Sequence, residues 1–287
     1  FDLLLALQVY FKAGIFAGLA PASVKLGFDR LRARDLNWVF TTHRIPCHPD
    51  GFAHIQDQYF EVLDVLGVDP NPVSYGLTLS DDEEEARRDF FARIDGPACS
   101  LVMGTSDPRK DWTPDGYAQV VDALEEELGL RSILLGGPGA AEARMAHETM
   151  EKTRNRPVLA LGDGIRRLLW VLSGSDLVVS PDTGPLHMAR AMDVPVVGLY
   201  GYTNPKRYGP YRKFTDLVVD GYARFPGEAY PVCMERRKDG MGRVAPEGVL
   251  EKVRLAMQRY VGPSNRGQQQ ERSPTHSSSS SSSSSPS

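Results

Sequence analysis

Residues with chemical potential concentrate in Ser180-Pro181-Asp182-Thr183-Gly184-Pro185-Leu186-His187. The stretch reads as the end of a buried strand, a tight turn and the first turns of a helix. Just before it, Leu177-Val178-Val179 is a short apolar run without alternation, as a parallel strand covered on both faces requires. Asp182 or Thr183 can cap the helix, and Pro185 suits its first turn. Gly184 lets a ligand approach the backbone closely. Free N–H groups at the positive end of a helix dipole make an anion site, most simply for phosphate, and His187 lies about one turn in, within reach of the same anion. A well-capped turn with a surface histidine would have the same sequence, so this stretch alone leaves both readings open.

Two further stretches narrow the choice. Pro195-Val196-Val197-Gly198-Leu199-Tyr200 reads as a second buried strand and runs into Gly201-Tyr202-Thr203-Asn204-Pro205, another tight turn. Ligands of open parallel sheets bind outside the carboxyl ends of adjacent strands, so two such turns side by side mark one crevice. A third loop, Met103-Gly104-Thr105-Ser106-Asp107-Pro108-Arg109-Lys110-Asp111-Trp112, also follows a strand. There the Thr105 and Ser106 hydroxyls can donate to phosphate oxygens, and Lys110 supplies a mobile positive charge for a leaving diphosphate. Read alone, this loop is equally an ordinary polar connection with an exposed lysine.

Together these residues closely resemble glycosyltransferase family 9, the lipopolysaccharide heptosyltransferases, over roughly residues 1–260. The family pattern D-T-G-x-x-H, then a strand, then Y-G-x-T-x-P, is kept at Asp182, Thr183, Gly184, His187, Tyr200, Gly201, Thr203 and Pro205. The family's Thr-[Ser/Thr]-x-x-x-Lys-x-Trp is matched at Thr105, Ser106, Lys110 and Trp112. Tyr202 stands where the family usually has proline or a small residue, and Pro185 and Met188 replace commoner small or apolar residues around the histidine.

The resemblance implies an α/β GT-B fold: two Rossmann-like domains with parallel sheets, the first incomplete. It implies an inverting, metal-independent and cofactor-free glycosyltransferase that moves heptose from ADP-heptose to a lipid-linked saccharide acceptor, the lipopolysaccharide inner core. Thr105, Ser106, Lys110, Asp182, Thr183, Gly184 and His187 would bind the donor. Gln8, Lys12, Arg34 and His54 match positions on the acceptor side, where Lys12 and Arg34 would suit a phosphorylated, acidic sugar. The family's catalytic base is an aspartate after the very first strand. Asp2 is not its equivalent, so the base is expected upstream of Phe1. Asp182 is disfavoured as a substitute, its expected tasks being to cap the helix and orient the donor. Glu142 is a candidate ribose contact, and Leu161-Gly162 lies where adenine contacts are expected. The implied location is cytoplasmic, with peripheral contact at the cytoplasmic face of the inner membrane.

Composition bounds the remaining possibilities. The chain has 287 residues, 41% of them hydrophobic, which allows two domains of ordinary size. A net charge of −4 and the lack of a basic stripe argue against a general nucleic-acid binder. Three scattered cysteines, Cys47, Cys99 and Cys233, fit a reducing compartment. His43, Cys47 and His48 cluster in sequence, but no other spacing supports a metal set. No apolar run is long enough to span a bilayer.

The chain opens on a strand at residues 2–8, which looks like an interior sheet strand and suggests a fragment lacking its true N-terminus. A helix over 10–20, a strand over Val24–Phe28 and a helix over 52–66 follow. Asp69-Pro70-Asn71-Pro72 breaks the chain, and Asp81-Asp82-Glu83-Glu84-Glu85 starts an acidic helix. The domain assignment is 1–80 for the remainder of the acceptor-side domain and 95–245 for the nucleotide-sugar-binding domain. A last helix over 246–261, started by Pro246 and Glu247, is expected to pack back across the first domain. Residues 262–287 are a Ser-rich, disordered tail. Two rivals stand beside the transferase: a non-catalytic nucleotide-sugar-binding module, and a family paralogue using a different nucleotide sugar.

Overall fold

A computed structural model describes residues 1–49 and 51–261, and the Ser-rich tail lies outside the described residues. The chain forms two parallel sheets. The first contains β1 (Leu3–Ala6), β2 (Val24–Phe28) and β3 (His43–Ile45), in the order β1-β2-β3. Helix α1 (Phe11–Leu19) crosses from β1 to β2, and α2 (Ile55–Val65) follows β3. Leu26, Phe28, Ile45 and Val62 form a small core beneath them. Among the described strands β1 pairs with β2 alone. Leu3, Leu5 and Leu7 are each more than a third exposed, and Phe16 and Leu19 of α1 are 75% and 78% exposed.

β3 was not anticipated. It carries His43, and Cys47 and His48 lie just beyond it, so the clustering in sequence reflects a short strand and its exit. The nearby Arg32 guanidinium is buried and donates to the Ile45 and Pro46 carbonyls at 2.6 and 2.8 Å. It also pairs with Asp29 and Glu61, so the buried charge is well satisfied.

The second sheet has six strands, in the order β6-β5-β4-β7-β8-β9. They are β4 (Ala98–Val102), β5 (Arg131–Gly136), β6 (Val158–Leu161), β7 (Leu177–Pro181), β8 (Val196–Tyr200) and β9 (Val218–Asp220). All pairings are parallel. Every residue of β4, β7 and β8 is buried, which explains their unalternated apolar sequence. Helices α4 (Pro114–Glu126), α5 (Ala140–Lys152), α6 (Gly164–Gly174) and α7 (Gly184–Ala191) make the crossovers. Chain order reverses between β4 and β7, so a crevice opens at their carboxyl ends.

Helix α3 (Asp81–Phe91) starts with a capping box, Ser80 and Glu83 each bonding the other's backbone N–H. It packs on α6, where Phe90 meets Trp170 edge-on at 5.5 Å. Gly174 admits the Phe91 ring, since a Cβ there would sit 2.2 Å from it. Helix α9 (Pro246–Arg259) packs on α4 and on β7 to β9, where Val249, Val253 and Ala256 are buried. Its main contacts thus lie on the second sheet. Its start is Ala245 with Pro246 in the first turn, and no side chain caps it. Among the described residues no helix is long and apolar enough to cross a membrane.

Candidate functional site

The crevice at the chain reversal brings together the loops after β4 and β7. Asp182, 6% exposed, sits at its centre. Lys110 Nζ donates to its Oδ2 at 2.8 Å and to its carbonyl at 3.1 Å. Thr203 Oγ1 donates to the same Oδ2 at 2.7 Å. His187 Nε2 lies 3.6 Å from Oδ1. Burial pushes the Asp182 carboxyl pKa up, but His187, Lys110 and Thr203 outweigh it and hold the group below the ordinary aspartate range. An ionised carboxylate is thus buried between two basic side chains and a hydroxyl.

This arrangement changes several sequence expectations. Thr183 occupies the N-cap of α7, but its side chain makes no cap bond. The Asp182 carboxylate is taken by Lys110, Thr203 and His187 rather than by the helix. The first turn of α7 therefore lacks a side-chain cap; Pro185 has no N–H, the Leu186 N–H donates to the Thr183 carbonyl at 3.1 Å, and His187 beside them is about half exposed. A Cβ on Gly184 would meet nothing within 4 Å, so the space in front of the turn is open. Lys110 is held on Asp182 and is not a free charge.

The Thr105 hydroxyl is also committed. Its oxygen lies 2.6 Å from the Asp107 carbonyl and 2.9 Å from Asp111 Oδ1, which share its single proton, so it shapes its loop rather than projecting from it. Ser106 is exposed. Asp111 was missed from sequence, hidden between Lys110 and Trp112. Burial raises its carboxyl pKa, Thr105 partly counters this, and Glu142 and Asp107 add to it. The loop is pinned at its far end by Trp112, whose indole N–H donates to the Val244 carbonyl at 2.8 Å. That ring packs over Gly116 and edge-on against Tyr117.

A cavity of about 260 Å³ adjoins this cluster. Its walls come from the ends of four neighbouring strands: Gly104 to Ser106, Gly136 to Pro138, Gly162 with Gly164 and Ile165, and Thr183. Glu142 forms part of the wall. A Cβ on Gly139 would lie 2.3 Å from its Oε2 and one on Gly104 2.9 Å from its Cγ, so a side chain at either position would push the Glu142 carboxylate aside.

The four acceptor-side candidates fare differently. Gln8 and Lys12 are exposed at the end of β1 and on α1. Arg34 reaches from the first sheet's side to Met234, with 3.7 Å between Nη2 and Sδ. His54 is built into the contact between the two sheets' loops. Its Nδ1 accepts the Gln56 N–H at 3.2 Å, and Nε2 lies 2.9 Å from the Gly209 carbonyl. These partners assign the Nε2–H tautomer. Burial lowers its pKa, with His187 and Arg207 adding to the effect and the Gly209 carbonyl and Asp57 opposing it.

With this geometry in hand, comparison with known proteins is decisive on family. The model of glycosyltransferase family 9 (heptosyltransferase) matches residues 1–224. The chain belongs to glycosyltransferase family 9. Among family relatives, the lipopolysaccharide core heptosyltransferase OpsX of Haemophilus influenzae is 31% identical over 222 residues, covering 76% of this chain and 62% of that protein. This chain therefore spans less than two thirds of that relative's length. The fold is similar to Escherichia coli ADP-heptose lipopolysaccharide heptosyltransferase II, with a TM-score of 0.68 at 18% identity, covering 90% of this chain and 77% of the other. It is also similar to the Escherichia coli heptosyltransferase WaaC solved with ADP, with a TM-score of 0.60 at 20% identity, covering 89% and 72%. The GT-B expectation for this family 9 chain is met by these likenesses.

Proposed function

We propose that this chain carries the donor site and part of the acceptor side of an inverting heptosyltransferase. Its donor is ADP-heptose and its acceptor an inner-core lipopolysaccharide saccharide. The observation that carries this reading is the convergence of Lys110, His187 and the uncapped start of α7 around buried Asp182, beside a cavity at the strand-order reversal. In this reading the nucleoside would occupy the cavity, with Glu142 facing the ribose. The diphosphate would lie against the α7 N–H groups, where Lys110 and His187 supply positive charge. Thr105 and Ser106 complete the wall beside it.

In the reaction the acceptor hydroxyl oxygen attacks the anomeric carbon as the carbon–oxygen bond to ADP breaks. The bonding electrons move onto the β-phosphate, and the hydroxyl proton passes to a carboxylate base. Lys110, His187 and the helix stabilise the charge growing on the leaving group, so the reading assigns no metal to that task. Asp182 is committed to three donors and serves to hold Lys110 and His187 in place. The base in this reading is a carboxylate other than Asp182. Lys12 and Arg34 would face an acidic acceptor, and the site would work at the cytoplasmic face of the inner membrane.

Calorimetric titration of ADP and then ADP-heptose tests the donor assignment. We expect binding of both, and loss of at least about tenfold in affinity in the Lys110→Ala/His187→Ala variant, as removal of two charge-assisted contacts implies. Unchanged affinity in that variant removes these residues from the site. A chain with a complete acceptor side that binds ADP-heptose but transfers nothing would instead be the non-catalytic module, and preference for another nucleotide sugar would mark a paralogue.

A further inference from the structure

Arg207 is among the most deeply buried large side chains, at 2% exposure, yet no carboxylate pairs with it among the described residues. Its partners are neutral and come largely from the other sheet's side. Nη1 donates to the Ala53 carbonyl at 2.9 Å and Nη2 to Gln58 Oε1 at 2.8 Å. Nε donates to the Tyr208 hydroxyl at 3.2 Å. The Phe52 and Tyr208 rings flank the guanidinium at 4.9 and 5.4 Å from their centroids. A buried cation without a counter-charge depends on hydrogen bonds to its donors, and two of the three that Arg207 makes are to Ala53 and to Gln58 of α2.

Arg207 lies in α8 (Pro205–Tyr208), one turn after Thr203. The link between the two is stiff. Asn204 caps α8, accepting the Lys206 N–H at 3.0 Å, while its carbonyl accepts the Arg207 N–H at 3.0 Å. Asn204 is itself fully buried, and its Nδ2 donates to the Pro231 carbonyl at 2.8 Å. Thr203 in turn donates to Asp182. A continuous path of short contacts thus runs from Gln58 and Ala53 through Arg207 and Asn204 to the carboxylate that holds Lys110 and His187.

We infer that Arg207 is a positioning residue: docked against α2, it fixes the 203–208 turn so that Thr203 holds Asp182 in its nucleotide-binding orientation. The first sheet's side thereby sets the donor site without touching the donor. This rests on the donor-site reading above. It makes Gln58, a residue on the far side of the contact, matter for nucleotide affinity.

A double-mutant cycle tests it. ADP is titrated calorimetrically into the wild-type chain, Arg207→Met, Gln58→Ala and the double variant, with thermal unfolding measured on each. Each single variant should weaken ADP binding by about tenfold, and the double variant should be no weaker than Arg207→Met, because both act through one contact. Arg207→Lys, which keeps a donor for Ala53 or Gln58, should recover part of the loss. Unchanged ADP affinity in Arg207→Met or Gln58→Ala, with only a lowered melting temperature, overturns the inference and leaves Arg207 a packing residue. Fully additive losses overturn it as well.

Amide hydrogen exchange without ligand is the second readout, and it separates this inference from the donor assignment. In Gln58→Ala, exchange should speed up in residues 203–208 while residues 99–102 of β4 stay protected. If wild type binds no ADP, the donor reading fails, and this exchange pattern still decides whether Gln58 controls the 203–208 turn. Unchanged exchange there overturns the inference.

Discussion

His54 shows how a residue acquires a different role from the one its position suggests. The resemblance puts it on the acceptor side, whereas the structure uses both ring nitrogens to join α2 to the Gly209 turn. Its Nδ1 must accept and its Nε2 must donate, so only the neutral ring fits. Its folded pKa lies below the ordinary value of 6.5, chiefly through burial, with Asp57, His187 and Arg207 the charged groups facing it. The unfolded chain therefore binds the proton more readily. Its contribution is complete above the unfolded value and is lost as pH falls through the lowered folded one. We expect the urea midpoint to drop between pH 7.5 and pH 5.5, and to drop less in His54→Gln. Equal drops in both proteins would assign the pH response to other groups. Asp182 makes the complementary point: its residue type was legible as part of D-T-G-x-x-H, but Lys110 and Thr203, two of its three partners, come from other loops, and Lys110 lies more than seventy residues away.

Among the elements, the loop between β4 and α4 carries Lys110, and its shape depends on a ring and a glycine. Trp112 Cζ2 would lie 2.5 Å from a Cβ on Gly116, and the same indole holds the Val244 carbonyl. Gly116→Ala must displace the ring and with it the loop that ends at Lys110. The expected cost is about 1–3 kcal/mol of stability, as for other overpacked sites. ADP affinity should fall in the same variant. A protein with wild-type stability and affinity would show that the loop does not depend on this packing. The strands and helices of the second sheet were legible because unalternated apolar runs and helical periodicity alternate along the chain. β3 was not, because three residues beginning His43-Arg44 carry no strand pattern of their own and exist through pairing with β2.

For the whole molecule, the two sheets differ in what each can bury. The second has an extensive core of aliphatic and aromatic side chains, and the first a cluster of four buried residues. Helix α3 precedes the proposed second-domain start at residue 95, yet it packs on α6, and Arg166 of α6 bonds both Glu83 and the Thr78 carbonyl. We therefore expect a fragment of residues 80–261 to unfold cooperatively at a higher temperature than one of residues 95–261. Calorimetry that found the two alike would place α3 outside the folding unit.

The sequence by itself determined the α/β class, the strand-turn-helix at Asp182-Thr183-Gly184, the loop bearing Lys110 and the family to which both belong. Those are local patterns, written in apolar periodicity, turn residues and fixed spacings. Only the tertiary structure decided that Asp182 clasps Lys110 and Thr203 instead of capping α7, that α9 lies on the second sheet, that His54 and Arg207 join the two sheets' loops, and that α3 packs with the second sheet. Each of these depends on side chains meeting from distant positions, where burial and partner geometry, rather than neighbouring residues, select the contact.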